Sequence, residues 1–404
     1  MSTYRELGVD TRKKGIEVFK PIIQRIFTNS FCDVIPDITG DPEYGIVAHQ
    51  DGVGSKIVQN YIIYKETGDT SVFEGSAQDN LAMNVDDNIC VGISPLVKPR
   101  FIFTQYVAIN TFHLSKEDFL NAVGKGLVKC LNMLEDAGFR PIFGGGETAD
   151  LPDQLRTVDL AGACYSRVRL QNAITGDEIR NKDVIVNIRS DGRARYEDRE
   201  NSGIMSNWLT MTRHGLSITD YQTEFPEILE PEVEERFMRE RGKHAYFGRY
   251  RNNEFIDELG MTLGDAILSP TRLFTPIVLK MLQKYGSNIS ALVHYTGGGP
   301  TKIRRLGKNN HFIMFKDVDI DVNPITELVQ RETKEPWEKV MSSSCCGWGF
   351  GVVCDHEVAE DIISIPENFG VEAKIVGHVE KIKEPNKLTL HTKFAPNGKF
   401  VYTE

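Results

Sequence analysis

The chain is short of cysteine, of net positive charge and of long apolar runs, and each shortage removes a class of function. Seven cysteines in 404 residues, at Cys32, Cys90, Cys130, Cys164, Cys345, Cys346 and Cys354, are odd in number and too scattered for a disulfide framework. They read as reduced, mostly buried thiols. No Cys-x-x-Cys occurs, and the nine histidines include no His-x-x-x-His pair, so the structural zinc templates fail. A formal charge of -10 leaves no overall basic surface to offset a nucleic-acid backbone, and nucleic acid is not an expected partner. No apolar run approaches the ~20 residues that span a bilayer. Met1-Ser-Thr-Tyr-Arg-Glu also lacks the cationic-then-apolar order of a signal peptide, so a cytoplasmic chain without membrane contact is expected.

What is present is an ordinary globular composition, 40% hydrophobic and 26% charged, long enough for two domains. Between Gly45 and Arg167 short extended apolar runs alternate with longer helical patterns, which predicts an α/β domain. In the stretch 114–137, Phe119, Val123, Leu127, Cys130, Leu131 and Leu134 recur three or four residues apart, the spacing of an amphipathic helix starting near Ser115. A polar stretch over 171–182 separates this half from a new strand at Asp183, which places the boundary between domains of 1–170 and 171–404. The second half predicts a helix over 269–285 and strands near 291–295 and 347–354. Residues 219–260 form a charged insertion. It reads as a solvated helix and surface loop, or as a lid whose Arg236, Arg239, Arg241, Arg249 and Arg251 meet a substrate phosphate.

Four segments carry chemistry. Asp51-Gly52-Val53-Gly54-Ser55-Lys56 leaves the end of an apolar run. Its glycines let backbone N–H groups approach a phosphate, lysine supplies a mobile cation and aspartate is a hard oxygen ligand for Mg²⁺. The Walker A spacing is absent, and a hairpin turn is the plainer reading of this segment alone. Asp79, Asn84, Asp86, Asp87 and Asn88 fall among apolar residues of a predicted helix. Partial burial of those acids calls for a partner such as a divalent ion on a triphosphate. Gly144-Gly145-Gly146-Glu147-Thr148 follows another apolar run, where the chain must turn sharply or admit a ligand. His294-Tyr-Thr-Gly297-Gly298-Gly299 repeats that arrangement in the second half.

Taken together, the segments resemble the aminoimidazole ribonucleotide synthetase family, the phosphoribosylformylglycinamidine cyclo-ligases of purine biosynthesis. The resemblance runs through Tyr4-Arg-Glu-Leu-Gly-Val-Asp10, Asp51-Gly-Val-Gly-Ser-Lys56, Asp79 to Asp87, Gly145-Gly-Glu-Thr-Ala-Asp-Leu-Pro152 and Asp159-Leu-Ala-Gly-Ala. It continues in Ser202-Gly-Ile-Met-Ser-Asn207, Leu263 to Arg272 and Thr296-Gly-Gly-Gly299. It implies a two-domain α/β (α+β) ATP-binding fold whose N-terminal domain pairs across a homodimer into a β-barrel. It also implies Mg²⁺-ATP phosphorylating the formyl oxygen of formylglycinamidine ribonucleotide before ring closure. By the same resemblance Asp51, Asp79 and Asp87 are metal candidates. Lys56, Asp87 and Asn207 are catalytic candidates. Asp51, Gly52, Gly54, Ser55, Lys56, Gly145, Gly146, Glu147, Thr148, Ser206, Asn207, Gly297 and Gly298 line the ATP and substrate site. Met205 stands where the family has a histidine, Asp86-Asp87 replaces an Asn-Asp pair, and the segment from Thr28 to Pro36 replaces a glycine-rich one. The chain therefore reads as a divergent member. Related kinases or synthetases of the same fold, and a non-catalytic nucleotide-binding relative, are the alternatives.

Overall fold

The computed structural model describes residues 3–9, 15, 18–92 and 99–403; Asp10 lies outside them. After a turn of helix, α1 (Thr3–Glu6), come β1 (Val34–Pro36) and β2 (Tyr44–Gly52). Helices α2 (Lys56–Thr67) and α3 (Glu74–Ile89) lead to β3 (Arg100–Ile109), α4 (Lys116–Ala137), β4 (Arg140–Asp150) and β5 (Val158–Arg169). The five strands form one sheet in the order β1-β2-β5-β3-β4, antiparallel except for the β3–β4 pair. A parallel pair needs a crossover, and α4 supplies it.

The predicted amphipathic helix is α4. Ser115 caps it by accepting the N–H of Asp118, and Gly138 ends it in the left-handed conformation, as the end signals require. Its apolar face buries Phe119, Val123, Leu127 and Leu134. The opposite face of the sheet is uncovered: Ile102 on β3 stands beside Ile142 on β4 and Tyr165 on β5, and all three are more than 40% exposed.

A seven-stranded sheet follows, built from β6 (Val184–Arg189) and, after the two-residue strands β7 (Asp191–Gly192), β8 (Asn201–Ser202), β9 (Phe255–Ile256) and β10 (Met261–Thr262), from six further strands. These are β11 (Ile289–His294), β12 (Asn310–Met314), β13 (Trp348–Cys354), β14 (Ala373–Lys381), β15 (Lys387–His391) and β16 (Lys399–Tyr402), in the order β11-β13-β6-β14-β12-β15-β16. Helices α5 (Leu209–Leu216), α6 (Asp220–Glu224), α7 (Pro231–Arg241), α8 (Leu263–Leu268) and α9 (Thr275–Tyr285) precede β11. The helices α10 (Pro324–Thr333), α11 (Trp337–Met341) and α12 (Ala359–Asn368) come later. A contiguous apolar core joins residues of both halves, among them Ile57, Leu81 and Phe119 with Ile188, Leu292 and Phe350.

Two expectations are corrected. The helix expected over 269–285 begins only at Thr275, because the backbone N–H of Thr271 goes to Asp79 and those of Phe274 and Thr275 go to Asp86. The charged 219–260 segment does not present its arginines to a ligand. Arg236 donates to the Glu6 carbonyl, Arg241 pairs with Glu6 at 2.5 Å, Arg249 with Glu332 at 2.5 Å, Arg251 with Asp220 at 2.8 Å and Arg239 with Glu240 at 3.6 Å. This is the solvated-surface reading, with α7 as its helix.

Candidate nucleotide and substrate site

Helix α3 carries the acidic cluster through the interior: Asp79, Asn80, Asn84, Asp86, Asp87 and Asn88 are all buried. A helix rising ~1.5 Å per residue sets Asp79 and Asp87 ~12 Å apart, and a separate polar centre forms around each.

At the first centre Lys56, 1% exposed at the start of α2, reaches Asp79 Oδ1 at 2.8 Å and the Ser269 carbonyl at 2.5 Å. The same carboxylate oxygen accepts Ser206 Oγ at 2.8 Å and Thr271 N and Oγ1, both at 2.7 Å. Three segments distant in sequence from Asp79 therefore close on one oxygen. Burial lowers the Lys56 pKa, and Asp79 opposes that only in part. Ser55 lies against Thr210, hydroxyl to hydroxyl at 2.9 Å, which ties the loop after β2 to the start of α5.

At the second centre Asp87 takes the His294 Nδ1 proton at 2.6 Å through Oδ1, while Oδ2 faces His49 Nε2 at 3.3 Å and Lys302 Nζ at 3.9 Å. Burial raises the Asp87 pKa, but Lys302, His294 and His49 outweigh it and hold the carboxyl well below the usual range. Burial also lowers the Lys302 pKa. Asp51 joins this centre through Asn84, whose Oδ1 accepts the Asp51 N–H at 3.0 Å and whose Nδ2 donates to the Asp51 carbonyl at 3.1 Å.

Among the other expected residues, Asn207 and Gly297 come together: a Cβ on Gly297 would lie 3.5 Å from Asn207 Oδ1. Gly298 has φ +100° at the turn into the short helix that follows. Gly54 sits beside the Ser206 carbonyl. The Gly145-Gly146-Glu147-Thr148 run is part of a continuous strand, β4, so of the two alternatives, a sharp turn or a ligand contact, the turn is not found. The strand holds a register shift opposite Phe103 and Gln105, and a Cβ on Gly146 would overlap the Gln105 carbonyl oxygen. Glu147 is exposed. It lies on the same transverse row as Gly52, through Tyr106 and Ala161, but three strand spacings away, or ~14 Å. The fold of the single chain does not bring it to Asp51.

Met205 is fully buried with φ +60°, a backbone conformation uncommon for a side chain of its size, and it offers no transferable proton. The residues that the motifs passed over are His49, Lys302 and Cys32, while Asn84 and Thr271 lay within quoted segments without a role. Of the three, His49 had a local signal, sitting two places before Asp51 on the same face of β2.

The fit to Mg²⁺ is partial. Asp51 is an exposed carboxylate with a single close donor, the N–H of Gly52 at 2.8 Å, and suits a hard cation. Asp79 and Asp87 are already neutralised by protein cations, and among the described residues the three aspartates do not group within reach of one ion. The three metal candidates therefore do not meet at one ion in this arrangement. A cleft of about 810 Å³ lies elsewhere, between Glu74, Gln78, Lys129, Glu200, Asn252 and Asp265. Acidic side chains outnumber basic ones in its lining, which disfavours a triphosphate.

No protein-family model matches the chain. It is similar over nearly its whole length to enzymes named phosphoribosylformylglycinamidine cyclo-ligase. The Methanocaldococcus jannaschii protein is 29% identical, with 96% of this chain and 94% of that one covered. The Caldicellulosiruptor bescii protein is 27% identical, with 94% and 98% covered. Among solved structures, AaThiL complexed with AMPPCP and TMP superposes with a TM-score of 0.53 at 11% identity, covering 96% of each chain. The HypE–HypF complex gives 0.52 at 12% identity, with 96% of this chain and 98% of that chain covered. T. maritima PurL complexed with FGAR gives 0.52 at 13% identity, and there this chain spans 49% of the solved chain. At such identities the superpositions establish a shared fold.

Proposed function

We infer that the chain is a phosphoribosylformylglycinamidine cyclo-ligase, which uses ATP to convert formylglycinamidine ribonucleotide to aminoimidazole ribonucleotide. What carries the reading is the full-length similarity to enzymes of that name. The fold agrees, since a neighbour of similar extent was solved with the ATP analogue AMPPCP and PurL with FGAR.

In this reading an amide oxygen, a poor leaving group, attacks the γ-phosphorus of ATP and releases ADP. A substrate nitrogen then bonds to the formyl carbon, the C–O bond breaks, and phosphate departs while the nitrogen gives up its proton. Of the loop from Gly52 to Ser55, the N–H groups of Gly52 and Val53 are spent on Asp51 and the Leu160 carbonyl, so Gly54, at φ +60°, and Ser55 would meet the phosphate, and the N-terminus of α2 behind them favours an anion. Asp51 would hold Mg²⁺, which when bound offsets charge on the transferring phosphoryl group, and Asp79 or Asp87 would reach a metal only at separate positions, by exchanging their present partners. Lys56 would reach phosphate by leaving Asp79. The buried Asn207 Nδ2 and His294 Nε2 have no hydrogen-bond partner among the described residues, and buried polar groups of that kind are ready to bind a polar ligand.

The remaining assignments rest on the resemblance. Residues 1–170 bind nucleotide and dimerise, 171–404 complete the substrate site, and Gly145, Gly146, Glu147 and Thr148 serve a site near the interface of a cytoplasmic homodimer. The bare row of Ile102, Ile142 and Tyr165 supports such pairing, because a sheet face of this kind is ordinarily covered.

The deciding assay supplies ATP, Mg²⁺ and formylglycinamidine ribonucleotide and follows both ADP and the aminoimidazole product. Formation of both is expected. ADP formed only with a different acceptor, or nucleotide bound without turnover, would replace this reading. Asp87→Asn should weaken Mg²⁺-dependent nucleotide binding, and unchanged affinity would remove Asp87 from the site.

A further inference from the structure

Cys32, His49 and Asp87 offer a thiol, an imidazole and a carboxylate whose ligand atoms all lie within 4.8 Å of one another. The three come from different elements: the segment before β1, the middle of β2 and the C-terminal turn of α3. Their chemistry differs from that of the proposed nucleotide site, since Mg²⁺ takes hard oxygen ligands whereas sulfur and imidazole nitrogen suit borderline ions such as Zn²⁺ and Co²⁺.

The hydrogen bonds around His49 set its tautomer. Asn84 Nδ2 lies against two carbonyl oxygens, of Asp51 at 3.1 Å and Asn80 at 2.8 Å, so that end of the amide is the donor and Oδ1 is the acceptor. Oδ1 receives the Asp51 N–H and, at 3.4 Å, His49 Nδ1, which makes Nδ1 the protonated nitrogen. In neutral His49 the lone pair of Nε2 then points at Asp87 Oδ2, 3.3 Å away. Two lone pairs face each other there unless a proton or a cation lies between them.

A second proton on His49 is the plain alternative. Either occupant would bridge the pair, and a Co²⁺ titration tells them apart. The separation suits a metal: two ligands each ~2.1 Å from a tetrahedral ion are ~3.4 Å apart. Cys32 closes the third side, its Sγ now 3.1 Å from the Asp87 carbonyl. An oriented imidazole whose far nitrogen is hydrogen-bonded by a neighbour is the usual support for a metal ligand.

We propose that Cys32, His49 and Asp87 bind a divalent ion of the Zn²⁺ or Co²⁺ class, with Asn84 positioning the histidine and a fourth coordination place left for water or ligand. Binding transfers the Cys32 proton to solvent and leaves a thiolate on the metal, so the site gains an ion and loses a proton. Because Asp87 is shared, an ion held here withdraws that carboxylate from the nucleotide.

The test titrates the full-length, metal-stripped protein with Co²⁺ in the absence of nucleotide. One Co²⁺ per chain and a thiolate-to-cobalt charge-transfer band in the near ultraviolet are expected. Cys32→Ser and His49→Ala should each abolish the band, Asn84→Ala should weaken Co²⁺ binding ~10- to 100-fold, and Cys130→Ser, altering a thiol in α4, should leave it unchanged. A wild-type protein without the band, or a band that survives Cys32→Ser, overturns the proposal. If Cys32→Ser does not fold, the partly exposed His49 decides the matter: retention of the band in folded His49→Ala protein overturns it equally. Product formation with Mg²⁺-ATP is a separate readout, so an intact cobalt band in a protein that makes no aminoimidazole product would sink the cyclo-ligase reading and leave this site standing.

Discussion

Burying an ammonium and a carboxylate is tolerable only while each has the other, so Lys56 and Asp79 should respond to change as a unit. Lys56→Met leaves Asp79 a buried charge without its cation and should cost ~3–5 kcal/mol in urea unfolding. Lys56→Met combined with Asp79→Leu should recover much of that loss; equal additive losses would show that the two are not coupled. Neighbouring Asp86 and Asp87 should titrate in opposite senses. Asp86 accepts the Phe274 and Thr275 N–H groups at the start of α9, yet burial outweighs them and pushes its pKa up to about 6. Between an unfolded value of ~3.9 and that value the native state holds the extra proton. Stability therefore falls as pH rises through the window, by a loss on the order of 3 kcal/mol. Asp86→Asn should flatten this part of a stability–pH curve. Asp87 is held low, so its contribution is present above the unfolded value and drains away as pH falls below it towards the folded pKa. Asp87→Asn should remove that acid-side dependence.

At the scale of elements, the crossing of α4 over the start of α3 depends on one missing side chain. A Cβ at Gly126 would overlap the Glu74 carbonyl oxygen, so Gly126→Ala should destabilise by ~1–3 kcal/mol, although alanine is the better helix former. A thermal melt above that of wild type would show that the helices simply part. Ser115→Ala at the cap of the same helix should cost ~1 kcal/mol. This helix was legible because periodicity and both end signals agreed. The missing helix over 269–274 was not legible, since its backbone donors are spent on Asp79 and Asp86 of α3, roughly 190 residues earlier in the chain. The Gly144–Gly146 run was legible only in part for a related reason: glycine marks close backbone approach, and within the chain it is β3 that approaches, a pairing only the sheet decides.

For the whole molecule, the bare face of the first sheet gives the clearest expectation. If it closes against a second copy, Ile102→Glu together with Tyr165→Glu should convert a dimer to monomers in sedimentation, with the far-ultraviolet spectrum unchanged. A dimer that survives both charges would place its interface elsewhere. The same double variant should lower turnover if Glu147 serves a site at that interface, because within one protomer it stands ~14 Å from the Asp51 end of β2.

Sequence alone determined the alternating α/β character, the amphipathic α4 and the ordered motifs that carry the resemblance, because these depend on residue type and local spacing. Tertiary structure decided which charges meet. The ~12 Å of helix between Asp79 and Asp87 splits one expected metal trio into two centres. Strand pairing and chain crossings then bring Ser206 and Thr271 to the first, and Cys32, His49, His294 and Lys302 to the second. Electrostatic partners of a buried acid are chosen by proximity in space, and no local pattern of residues encodes that choice.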